Sequence, residues 1–137
     1  MNKTLRNIIA VIVGWLIGSI VNMSIINLGH SLLPIDGIDM SNMEEISNAY
    51  SSLDIEYFFT PFLAHALGTL VGSIIATLIA VGNKKLMALI VGGIFLVGGI
   101  MVSFMINSPV WFTIFDLLFA YIPMALLGYS IGLKFSK

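Results

Sequence analysis

The chain has 137 residues, of which 58% are hydrophobic and 9% charged, with a mean hydropathy of +1.04 and a formal net charge of −1 at pH 7. That length suits one domain, and so apolar a composition excludes a soluble globular protein in favour of an integral membrane one. The few scattered cations form no basic patch for a nucleic acid, and the lack of cysteine excludes thiol redox chemistry and thiolate metal sites.

Four apolar runs, 5–28, 61–81, 86–106 and 111–133, are each long enough to cross about 30 Å of hydrocarbon at about 1.5 Å per residue. The expected fold is therefore all-α, a single four-span bundle over residues 1–137. The first run has Lys3 and Arg6 at its start, is longer than a signal-peptide core and is followed by no small-residue cleavage signal, so it reads as an uncleaved span. Lys84 and Lys85 lie between the second and third runs, and Lys134 and Lys137 follow the fourth. Short segments rich in Lys and Arg resist translocation, which predicts both termini inside the cell, in a bacterial cytoplasmic membrane.

The segment 30–59 then lies outside. It carries Asp36, Asp39, Glu44, Glu45, Asp54 and Glu56 and no Lys or Arg. After the turn signal Pro34-Ile35-Asp36-Gly37, Ser41 and Glu44 have capping-box spacing, and Met43, Ile46, Tyr50 and Leu53 repeat along one helical face. A short amphipathic helix is expected here, lying on the outer leaflet or packed over the mouth of the bundle. Tyr57, Phe58 and Phe59 mark the outer interface, as Trp111 and Phe112 do before the fourth span. Thr60-Pro61 and Ser108-Pro109 each read as an N-cap followed by proline at the first helical position.

The second span repeats Ala64, Gly68, Gly72, Ala76 and Ala80 every four residues, a small-residue stripe that admits close approach of another helix. Gly14 and Gly18 in the first span, and Gly128 and Gly132 in the fourth, offer similar faces. Such faces serve packing within one chain or between copies. Turns at 82–86 and 107–112 are short enough to require antiparallel neighbours.

Ionisable groups inside hydrocarbon are costly and mark candidate sites. His65 lies about one turn into the second span and Asp116 one to two turns into the fourth, both about 6–10 Å below the outer surface, and Asn22 reaches a similar depth. Below His65, Thr69, Ser73 and Thr77 continue at intervals of four, a candidate polar path. A neighbouring imidazole and carboxylate form a proton or cation site in a carrier, whereas the same residues in structural roles bond to backbone or helix dipole. A metal would need further ligands from His30, Glu56 and Asn27, and no metal or other cofactor is expected. Pro123 should kink the fourth span near Tyr121. No HExxH, phosphate loop or nucleophile elbow occurs, so an enzyme is not favoured.

The segments NMSIINLG, PFLAHALGTLVGS, GGIFLVGGIM and SPVWFTIFDLLFAYIPMALLG together resemble a group of small four-span bacterial membrane proteins, a likeness that covers the chain and implies no particular activity. The chain departs from fluoride channels in lacking a Thr- and Ser-rich break in its third span. It departs from small multidrug transporters in having no carboxylate in its first. The expected function is that of a non-enzymatic membrane subunit, a homo-oligomer or part of a larger complex, working through its glycine faces in the lipid bilayer. The alternative is a small proton- or cation-coupled transporter or channel using His65, Asp116 and Asn22.

Overall fold

The computed structural model describes residues 1–136, so Lys137, counted among the terminal cations, lies outside the described residues. The described residues form six α-helices and one 3₁₀ turn, with no strand among them: α1 (Lys3–Leu32), α2 (Met43–Tyr50), the 3₁₀ turn (Ile55–Phe58), α3 (Phe59–Ile79), α4 (Lys84–Met105), α5 (Val110–Phe119) and α6 (Ile122–Phe135). Four stretches are long and apolar enough to cross a membrane: Lys3–Leu32, Ile55–Ile79, Lys84–Met105 and Val110–Phe135. Large apolar side chains such as Ile20 on α1 and Val97, Met101 and Phe104 on α4 are exposed, as a lipid-facing surface requires. The protein is a helical membrane protein.

Helix α3 is the centre of the bundle, packed against α1 on one face and against α4 and α6 on others. Between α1 and α3 the small residues are necessary. A Cβ placed on Gly14 would stand 2.5 Å from the carbonyl oxygen of Gly72, and one on Gly18 equally close to that of Gly68. On the α6 side, a Cβ on Gly128 would stand 2.7 Å from Leu70 O, and one on Gly132 2.7 Å from Thr77 Cβ. Gly14, Gly18, Gly68, Gly72, Gly128 and Gly132 are thus all occupied within the chain, where close backbone approach supplies the van der Waals contact that replaces a hydrophobic drive in lipid.

The end carrying the chain termini is tied across helices. Arg6 Nε donates to the carbonyl of Ile79 at 2.7 Å, the Val81 N–H donates to Asn7 Oδ1 at 2.8 Å, and Lys84 Nζ donates to Ser136 Oγ. At the opposite end α2 lies over the bundle. Ile46 and Tyr50 bury into a cluster with Phe58 and Phe112, and the Asn107 N–H donates to Ser47 Oγ at 3.0 Å.

Local starts and stops differ from the sequence expectation in four places. Asn42, not Ser41, caps α2: its Oδ1 accepts from the Glu44 and Glu45 N–H groups, while Ser41 Oγ donates to Asp39 Oδ1 at 2.7 Å. Helix α3 begins at Phe59, with Thr60 and Pro61 already inside its first turn, because the 3₁₀ turn feeds into it directly. In α5 the capping residue is Pro109 itself, whose carbonyl accepts from Phe112 and Thr113 N–H at 3.1 Å. The expected kink at Pro123 is a full break between α5 and α6, with Tyr121 at φ −118° and ψ −80°. Pro123 lacks an N–H and sits in the first turn of α6, where that loss costs nothing, so the helix restarts instead of bending.

Candidate functional site

His65 is carried by α3 and Asp116 by α5, two helices that run in the same direction and lie side by side at the α2 end of the bundle, which brings the two residues together. His65 Nδ1 lies 2.9 Å from both Oδ1 and Oδ2 of Asp116. The Tyr121 hydroxyl, from the break in the fourth span, donates to Asp116 Oδ2 at 2.9 Å. Its ring also stacks on the imidazole, with centroids 5.8 Å apart and planes inclined by 27°. The carboxylate is therefore enclosed: the Asp116 side chain is 7% exposed, and Tyr121 is fully buried. Thr69 Oγ1 donates to the carbonyl of His65 at 2.8 Å, which steadies the backbone beneath the imidazole.

The hydrogen-bond network assigns the histidine tautomer. A carboxylate accepts only, so Nδ1–H donates to it, and a neutral imidazole then carries its lone pair on Nε2. Among the described residues no protein group bonds to Nε2. The side chain is 15% exposed and lines two spaces. One is a cavity of about 100 Å³ under the cap end, bounded also by His30, Tyr50, Tyr57, Ser108 and Phe112. The other, about 30 Å³, lies between His65, Asp116, Ser103 and Thr113, and has the volume of about one water molecule.

Two expectations for this layer resolve differently. Asn22 packs its Cβ against Gly68, one turn deeper than His65, and its buried Oδ1 has no hydrogen-bond partner; it joins neither the pair nor the cavities. The hydroxyls below His65 make no open path. Ser73 Oγ donates to the carbonyl of Ala88 at 3.2 Å and Thr77 Oγ1 to that of Ser73 at 2.8 Å, and Thr69, Ser73 and Thr77 are all fully buried. Tyr121 is the site residue that sequence spacing did not single out as a partner of Asp116. Among the described residues no three His, Asp or Glu side chains converge in a metal-holding group.

No protein-family model, curated protein or solved structure matches this chain.

Proposed function

We propose that this protein is a small carrier of the bacterial cytoplasmic membrane, with both termini inside, whose His65–Asp116 pair binds and releases a proton or other cation from the outer side. One observation carries the reading: His65, held in a buried imidazole–carboxylate–phenol network, lines a cavity beneath the cap end, while Thr69, Ser73 and Thr77 below it are fully buried. Buried charge inside a membrane is expensive, and a pair of this kind is kept where it binds a cation or moves a proton. The carboxylate fixes the imidazole so that Nε2 is available as a base. The cross-helix bonds of Arg6, Asn7 and Lys84 support an assignment of this conformation as open to the outside and shut to the cytoplasm.

The role of an oligomeric or accessory subunit would need another surface. The six glycines expected to supply it face helices of the same chain, and open space remains at Gly93 and Gly98 on α4.

The orientation rests on the cations at the terminal end and six carboxylates in 30–59. Impermeant thiol reagents on intact cells should label Glu44→Cys and leave Lys85→Cys unlabelled; the reverse pattern discards the topology. For the activity, proteoliposomes loaded with a pH indicator should show a proton flux that His65→Ala and Asp116→Asn each reduce at least about tenfold, and flux indifferent to both changes eliminates the pair as the site.

A further inference from the structure

We infer that the cavity above His65 takes a small protonated amine with an apolar body, its ammonium donating to His65 Nε2. The inference rests on the reading of His65 and Asp116 as a cation site and names what competes there with the proton.

With the imidazole neutral, the buried group formed by His65, Asp116 and Tyr121 carries one uncompensated negative charge, since Tyr121 and Nδ1 bring hydrogen bonds but no cation. The described Lys and Arg residues all lie at the terminal end of the bundle, and residues 30–59 contain none. A buried anion without a counter-ion is costly, so the site favours a single positive charge. Two sources can provide it: a proton on Nε2, or an ammonium that donates to the Nε2 lone pair. They exclude each other, because protonation converts Nε2 from acceptor to donor and adds a like charge.

The walls select the rest of the ligand. Around the floor, most lining residues are apolar, including Ile26, Leu33, Met40, Leu53 and Val102. Tyr50, Tyr57 and Phe112 add aromatic rings, which favour a cation over a neutral molecule of the same shape. The chain beside the lining residues has the matching sign. Four lining residues, Ile35, Met40, Leu53 and Tyr57, each adjoin an exposed carboxylate, respectively Asp36, Asp39, Asp54 and Glu56. Exposed carboxylates near a low-dielectric cavity draw cations and repel anions. An inorganic cation gains little from these walls, which offer few oxygen ligands, whereas an amine with an apolar body uses both walls and floor.

The groups that titrate around Nε2 come from every packed element: Asp116 on α5, Tyr121 at the break, His30 on α1, Tyr50 on α2 and Tyr57 on the 3₁₀ turn, with Ser103 and Val102 of α4 contributing no charge. His30 shares the cavity, and a positive charge on it would also disfavour the amine. Both histidines thus act in the same direction.

The test is calorimetric titration of the full chain in lipid nanodiscs with benzylamine, its neutral isostere benzyl alcohol and the anion phenylacetate. At mildly alkaline pH, benzylamine should bind at least about tenfold more tightly than benzyl alcohol, phenylacetate should not bind, and acidification should weaken the amine about tenfold. Asp116→Asn should abolish the preference for amine over alcohol. Should that variant fail to fold, the combined Asp36→Asn, Asp54→Asn and Glu56→Gln variant should slow amine association several-fold at low salt and not at high salt. Equal binding of amine and alcohol, preference for the anion, or no binding of any probe overturns the inference. A His65-dependent proton flux that persists after such a result leaves the carrier reading standing, while amine binding without flux removes the carrier and keeps the site.

Discussion

A methyl group on Gly99 would overlap the hydroxyl of Tyr121, the same hydroxyl that donates to Asp116 Oδ2 at 2.9 Å. Helix α4 thus holds the phenol against the carboxylate from behind. Gly99→Ala should push Tyr121 away and reproduce the effect of Tyr121→Phe, the loss of a charge-assisted hydrogen bond worth about 1.5–3 kcal/mol. Gly98→Ala is the control, since a Cβ at Gly98 meets nothing within 4 Å. Thermal unfolding in detergent compares the three, and a Gly99→Ala protein as stable as Gly98→Ala would contradict the arrangement.

Gly72 tests where the small-residue stripe is used. A Cβ there would stand 2.7 Å from the carbonyl oxygen of Gly14. Gly72→Leu should therefore prise α1 from α3 and lower the stability of the single chain by about 1–3 kcal/mol or more. Unfolding in denaturing detergent measures this. Unchanged stability with an altered oligomer size would move the stripe's role from the chain to an assembly.

Phe58 joins the cap to the bundle. Its ring centroid lies 5.6 Å from Tyr50, 4.8 Å from Phe112 and 5.4 Å from Trp111. Phe58→Ala should cost about 3–5 kcal/mol if the site cannot collapse, and most of that loss should fall on the cap. Hydrogen exchange should rise across 43–50 and stay low in α3 and α4. Uniform loss of protection would show that cap and bundle unfold as one.

Burial raises the Tyr50 phenol above its ordinary value of 10.0. A group whose folded-state value is raised contributes to stability fully below 10.0, and that contribution falls as pH rises toward the folded value. The cap should accordingly loosen in alkali, and Tyr50→Phe should remove that component. Exchange rates in 43–50 followed from neutral to alkaline pH measure it, and identical profiles for the two proteins would sink the assignment. At the acid end, Asp39 is held below the ordinary carboxylate value by hydrogen bonds from the Ser41 hydroxyl and N–H. Its contribution is present at neutral pH and disappears only as pH falls through the lowered value; Ser41→Ala should return Asp39 toward 3.8 in a carboxylate titration followed by NMR.

Helix positions were legible because the membrane imposes them: a backbone that must satisfy its own hydrogen bonds in hydrocarbon leaves about twenty apolar residues per span as its trace. The partnership of His65 with Asp116 was partly legible for the same reason, since two ionisable groups at one depth have few alternatives to each other. Tyr121 was not. In a continuous helix, residues five apart point about 140° away from one another around the axis, so Asp116 and Tyr121 would diverge. The break before Pro123 turns them toward one another. Asn22 failed in the opposite sense, because equal depth does not determine which way a side chain faces around its helix.

From the amino-acid order alone came four apolar spans, the separation of cations from carboxylates between the two ends, the small-residue faces, and a short helix between the first two spans. Each depends on local composition and on distance along the chain. Tertiary structure decided that those faces close within a single chain, that the hydroxyls below His65 are spent on backbone carbonyls, and that a carboxylate, an imidazole and a phenol share one buried contact. These outcomes depend on how each helix is rotated and where the fourth span breaks, and rotation is set by the packing of all the helices at once.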